Sequence, residues 1–264
     1  MKSLKWINAI AFLAMVGVNI AANLIPIGGN TTGEVTKMYA NLFTPAPVTF
    51  AIWGVIYCFM LLFVLFQLGI IGGRATSESI REEVGWAFVV SCVLNIAWIF
   101  LWHMDQIALS TLVIVLLLLS LIVITKRINR VNKSVMTYLM TNVGFDIYFG
   151  WIIAATIANV SVMLTKMEWG GWGLSGVTWT IIILIVGSII GAATVFVENR
   201  YMSGAAVAWA YLGIVIKHMS SSGYDGKYMS IVITAAIGIG LIVATMAYRL
   251  IIPNSRMKVV SSLE

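Results

Sequence analysis

Residues 85–125 read GWAFVVSCVLNIAWIFLWHMDQIALSTLVIVLLLLSLIVIT. Two apolar runs, 85–104 and 106–125, are parted only by Met104-Asp105. A helix rises 1.5 Å per residue, so roughly 20 apolar residues cross a hydrocarbon core about 30 Å thick. Each run is long enough to span, and the short break forces them into a tight antiparallel hairpin. Working outward, the same texture recurs at 5–26, 48–71, 135–160, 176–197, 203–219 and 229–251. The expected fold is therefore all-α, a polytopic membrane helix bundle of eight spans. Composition agrees: the chain is 61% hydrophobic and 10% charged, with mean hydropathy +0.99, where a soluble domain carries about 25% charged residues. The run after Lys2 and Lys5 outlasts a signal-peptide core and reads as a retained first span.

Basic residues set the orientation. With the N-terminus inside, 12 of the 16 lysines and arginines fall on the cytoplasmic side, among them Arg74, Lys126, Arg200, Arg249, Arg256 and Lys258. Lys37, Lys166, Lys217 and Lys227 fall outside. This bias favours eight spans with both termini cytoplasmic, in a plasma (inner) membrane. It also accounts for the net charge of +6 without a nucleic-acid partner. Cys58 and Cys92 lie in apolar runs as free thiols, and no Cys/His spacing suggests a metal site. The inner connections, 72–84 and 126–134, are short, polar and charged. The outer loop 27–47, IGGNTTGEVTKMYANLFTPAP, is long enough to be a lid, and its Pro45-Ala-Pro47 fixes where the second span begins. In the second outer loop, Trp169 and Trp172 read as interfacial anchors.

Polar groups inside the spans are the candidates for function. Asp146 lies roughly 17 Å into the fifth span and Lys217 roughly 21 Å into the seventh, so the two are placed to pair. Aromatic and amide side chains share helix faces: Asn19 with Asn23; Trp53 with Tyr57; Asn95, Trp98 and Trp102; and Tyr148, Trp151, Ala155 and Asn159. Asn23, Trp53, Trp98, Trp102 and Trp151 all fall in the outer half beneath the long loop, which points to a pocket. His103 and Asp105 read as an outward-facing turn. Gly187-x-x-x-Gly191 and Ala236-x-x-x-Gly240-x-x-x-Ala244 are spacings for close helix packing, within the chain or against a second copy in a homodimer. No catalytic motif is evident.

At these residues the chain resembles the tryptophan-rich sensory protein family, also called the translocator or peripheral benzodiazepine receptor family (TspO/MBR). The carrying motifs are Tyr39-x-x-Leu42-x-x-Pro45-x-Pro47-x-x-Phe50-x-x-Trp53-x-x-x-Tyr57, then Asn95 with Trp98 and Trp102, then Tyr148, Trp151, Ala155 and Asn159. The resemblance covers residues 5–163 and implies a five-helix unit over 1–163 followed by a three-helix module over 164–264. Met38 and Ile147 stand where the family usually has tryptophan and proline, and no cholesterol-type motif closes the fifth span. The resemblance implies a receptor-like protein binding a porphyrin or other flat hydrophobic ligand for sensing, transport or stress regulation. No cofactor is required, although a bound tetrapyrrole is compatible. It further implies Trp53, Tyr57, Asn95, Trp98, Tyr148 and Trp151 as pocket lining, with Ala155 and Asn159 in helix packing. A secondary transporter using Asp146, a tetrapyrrole-degrading enzyme and a structural subunit remain alternatives.

Overall fold

The computed structural model describes residues 3–25, 28–29, 32–131 and 133–252. Lys2, Pro26, Arg256 and Lys258, used above to place the first span and orient the chain, lie outside the described residues, as do Ile27, Asn30 and Thr31 of the outer loop. Among the described residues there are helices and no strands. The eight expected spans become α1 (Leu4–Leu24), α3 (Ile52–Leu68), α5 (Ala87–His103), α6 (Ile107–Ile128), α7 (Val135–Lys166), α8 (Gly176–Glu198), α9 (Tyr201–Met219) and α10 (Met229–Ile251). Two short helices join them: α2 (Thr32–Met38) between α1 and α3, and α4 (Arg74–Val84) between α3 and α5.

Local chemistry explains the boundaries. Pro47 opens a 3-10 turn over Pro47–Ala51 that feeds α3, as expected for a residue with no N–H to satisfy. Gly69 ends α3 in the left-handed region at φ 77°. Ser134 and Ser175 cap α7 and α8, their hydroxyls accepting from the backbone N–H of Thr137 and Thr178. The inner connection 72–84, expected as a polar loop, folds instead as α4. Its Ser77, Ile80, Arg81 and Val84 turn inward while Glu78, Glu82 and Arg74 face out. That i, i+3, i+4, i+7 pattern is an amphipathic helix, and α4 meets α5 at a bend of 58°.

Among the described residues, six helical segments are long and apolar enough to cross a membrane alone: α1, Pro47–Leu68, α6, α7, α8 and α10. The bent pair α4 and α5 makes a seventh. α9 falls short of that test because Lys217, His218, Ser203 and its two tyrosines dilute it. It is nonetheless wrapped on several sides, packing against α7, α8, α10 and the 3-10 turn. The protein is an integral, multi-pass membrane protein.

α7 is the hub. It runs for 32 residues, about 48 Å, and touches α3, α6, α8 and α9. At Gly150 its backbone lies directly on the backbone of Ser203 in α9, leaving no room for a Cβ. Higher up, Gly213 of α9 sits equally close to the Thr49 side chain. On α8, Gly187 receives the Tyr211 ring and Gly191 faces Val207 and Ile242, so the Gly187/Gly191 spacing does serve close packing within the chain. The Ala236/Gly240/Ala244 stripe does not: all three are exposed, and α10 packs instead through Ala235, Gly238 and Ile242.

The candidate pocket and its two polar networks

The expected aromatic stripes converge on Trp53. Its indole stacks on Tyr57 at 5.6 Å and on Trp98 at 6.1 Å, and meets Tyr148 and Trp151 edge-on at 5.8 and 6.3 Å. Around it lie two adjoining cavities. The deeper one, about 60 Å³, is bounded by Trp53, Trp98, Trp102 and Trp151, with Phe43 and Phe50 above and Ala154, Ala155, Ala158, Ala210 and Ile214 along its helical walls. The outer chamber, about 410 Å³, shares Thr44, Pro45, Phe50, Trp53 and Trp98 with it and adds Asn19, Asn23, Tyr57, Lys37, Lys217 and Tyr224. That volume is in the usual range for small-molecule sites.

The floor is electrostatically one-sided. The indole N–H groups of Trp98, Trp102 and Trp151 are buried and have no hydrogen-bond partner among the described residues. An unpaired buried donor costs about 1–3 kcal/mol. Three at one cavity form a site that an acceptor-bearing ligand, or water, would satisfy.

Two of the expected lining residues lie elsewhere. Asn95 and Tyr148 bound neither cavity. Asn19 donates to the side-chain oxygen Oδ1 of Asn95 at 2.7 Å, and the Asn95 amide donates to the Tyr148 hydroxyl at 2.8 Å. This chain of hydrogen bonds ties α1, α5 and α7 together beside the indoles. Asn23 is exposed at the chamber, its amide donating to the Asn19 carbonyl. Ala155 and Asn159, expected only in helix packing, also line the deeper cavity, and Asn159 accepts from Ser110 of α6 at 3.1 Å.

The intramembrane charges pair differently from the expectation. Asp146 does not meet Lys217. Its carboxylate takes Arg200 at 2.9 Å, with both side chains almost wholly buried. The Arg200 guanidinium also holds Glu198 and lies over the Phe149 ring, while Ser203 donates to the Asp146 carbonyl. The cause is axial register. α9 begins beside Asp146, not beside the start of α7, so Lys217 lies 17 residues further along α9, about 25 Å away. Nearby, Lys133 donates to Asn142 and to the Ile128 carbonyl. Burial pushes its ammonium down to about 8, against the opposing pull of Asp146.

The first loop is held from two sides. Tyr39 donates to Asp105 at 2.8 Å, and Lys166 forms an ion pair with the same carboxylate at 2.6 Å. Burial acts to raise the Asp105 carboxyl, but the hydrogen bonds from Lys166 and Tyr39 outweigh it and hold it below its ordinary range. His103, read as outward-facing, is buried, with Nδ1 2.8 Å from the Ile99 carbonyl. On the other side, His218 Nε2 lies 2.9 Å from the Leu42 carbonyl, Trp209 donates to the Thr49 carbonyl, and Ala46 donates to the Gly213 carbonyl. α9 thus anchors the loop and the 3-10 turn that cover the cavity. Arg200, His218 and Tyr224 were not legible as site residues from local sequence. The spacing of Ala210, Ile214 and Lys217 on one face of α9 is the signal that was present.

Trp169 and Trp172 stay outside the pocket. They cluster with Trp179 at 5.0–5.7 Å, and Trp172 is 82% exposed, as suits a membrane-interface belt. Beside them a groove of about 740 Å³ runs between the outer halves of α7 and α8, and Ala40, Asn41 and Phe43 separate it from the pocket.

No curated protein and no solved structure matches the chain. A family of TSPO-like proteins does, over residues 5–248, and the match therefore takes in α8, α9 and α10 as well as the first five spans. With its helical bundle and its outer pocket of indoles, the chain belongs to the TSPO-like protein family.

Proposed function

We propose that this protein is a receptor-like membrane protein that binds a porphyrin or another flat hydrophobic ligand, for sensing, transport or stress regulation. The carrying observation is the indole floor: three buried, unpartnered N–H donors around one apolar cavity that continues into a chamber of about 410 Å³. Indole faces suit a planar apolar ring, and their N–H groups suit its acceptors. The basic-residue bias supports a plasma (inner) membrane placement with the pocket on the outer side and the termini inside. The domain reading takes a matching form: residues 1–163 supply most of the pocket, and 164–264 brace it through α9.

Titration with protoporphyrin IX, followed by tryptophan quenching, tests this reading. Saturable binding is expected, weakened about tenfold or more by Trp53→Ala and by Trp151→Ala. The absence of saturation, or indifference to both substitutions, overturns it.

A further inference from the structure

The chamber beside the indoles is lined by two lysines, Lys217 and Lys37, and, among the described residues, by no acid. Lys217 is half-buried on α9, and its ammonium makes no ion pair or hydrogen bond with any described residue. The other cations near the pocket mouth differ: Lys166 is committed to Asp105. An ammonium drawn partly out of water without a counter-ion is costly, and Lys217 is on the same chain that pairs Arg200 carefully.

Its position is also defined. Ala210 and Ile214 line the deeper cavity and Lys217 the outer chamber. These residues are four and three apart, so they share one face of α9, and Lys217 stands seven residues above Ala210, about 10 Å. At the lower end are the three unpaired indole donors. The indole end therefore offers unpaired N–H donors and the other end an ammonium, with no carboxylate among the described lining residues.

We infer that the pocket selects an anionic amphiphile: a flat apolar body against the indoles and a carboxylate held by Lys217. This rests on the ligand-binding reading above and adds to it the class of ligand and a specificity residue from α9. Lys37, on the covering loop, reinforces the field at the mouth. A neutral ligand of the same shape leaves Lys217 unpaired and binds less well.

The experiment compares acids with their neutral esters in the full-length protein, in nanodiscs of zwitterionic lipid. Two pairs are used: protoporphyrin IX against its dimethyl ester, and 1-pyrenebutyrate against its methyl ester. The wild type should prefer each bound acid about tenfold, the worth of one charge-assisted hydrogen bond. Lys217→Gln should collapse that preference while leaving the ester's affinity and the thermal midpoint unchanged, and Lys37→Gln should reduce it less. Equal affinity for acid and ester in the wild type overturns the inference and leaves the pocket standing. An undiminished preference in Lys217→Gln overturns the assignment to this residue. Failure of the porphyrin pair with retained, Lys217-dependent selection of pyrenebutyrate sinks the porphyrin reading and keeps this one. Failure of all four probes overturns both.

Discussion

Asp146 and Trp151 lie five residues apart on α7, yet they treat polarity in opposite ways. At Asp146 a buried charge meets Arg200 at 2.9 Å, and Glu198, Ser203 and the Phe149 ring complete the neighbourhood. At Trp151 a buried donor meets nothing, in company with Trp98 and Trp102. The first arrangement closes a seam between α7 and α9. The second is left incomplete beside a cavity. A bundle that satisfies a full ion pair at one level leaves three indole donors unmet at the next, and the proposed ligand site rests on that contrast.

The largest effect should come from breaking the seam. Arg200→Met leaves Asp146 charged and alone, at a cost of roughly 3–5 kcal/mol, read as a fall in the unfolding midpoint in detergent. Adding Asp146→Leu should restore most of it, since a well-packed apolar pair replaces a buried ion pair at little cost. Equal instability of the single and double variants would refute the account. Asp146→Asn also addresses the transporter alternative: proton-coupled flux lost while ligand affinity persists would favour it.

Next in size is the cavity. Trp151→Phe keeps an aromatic face and deletes the orphan N–H, so an acceptor-bearing ligand should bind roughly tenfold more weakly. The apo midpoint should move little, because that donor had no partner to lose. A large fall in stability with unchanged binding would place Trp151 among the seam residues.

A smaller effect is expected at the roof. His218→Ala removes the contact with Leu42, worth about 1 kcal/mol. Amide exchange over residues 40–44 should then quicken several-fold, with the seam unaffected. Unchanged exchange would mean that α9 is not what holds the loop.

The smallest concerns Asp105. Its carboxyl is held below the usual range by Lys166 and Tyr39 against the effect of burial. The folded-state value is lowered, so its tie to the loop is fully present at neutral pH and lost as pH falls through that lowered value. Proteolysis of the 32–47 segment should rise only in strong acid. Asp105→Asn should be susceptible at all pH values, and an acid response that persists in this variant would exclude Asp105 as its source.

Much of this architecture was legible in advance. Long apolar runs have few solutions in lipid, because every backbone group must be satisfied within its own helix. Hence the eight helices appear where expected, ending within a few residues of the proposed limits, except that α7 continues to Lys166. The stripes of Trp53, Trp98 and Trp151 likewise reach one cavity, since helical periodicity decides which residues share a face. Register between helices was not legible. A span count fixes that α7 and α9 are parallel, but not how far one slides along the other. That slide decided that Asp146 meets Arg200 and leaves Lys217, about 25 Å away, to the chamber.

The sequence alone determined a membrane bundle, its spans and the helix faces its aromatic residues share, because these follow from hydropathy and period. Only the tertiary structure decided which donors stay unmet, which amides serve as struts, and that α9 braces the covering loop. Those depend on close approach at Gly150, which lies on the Ser203 backbone, and at Gly213, which lies on the Thr49 side chain, and these contacts set the axial offset of α9. Local pattern carries no term for that offset.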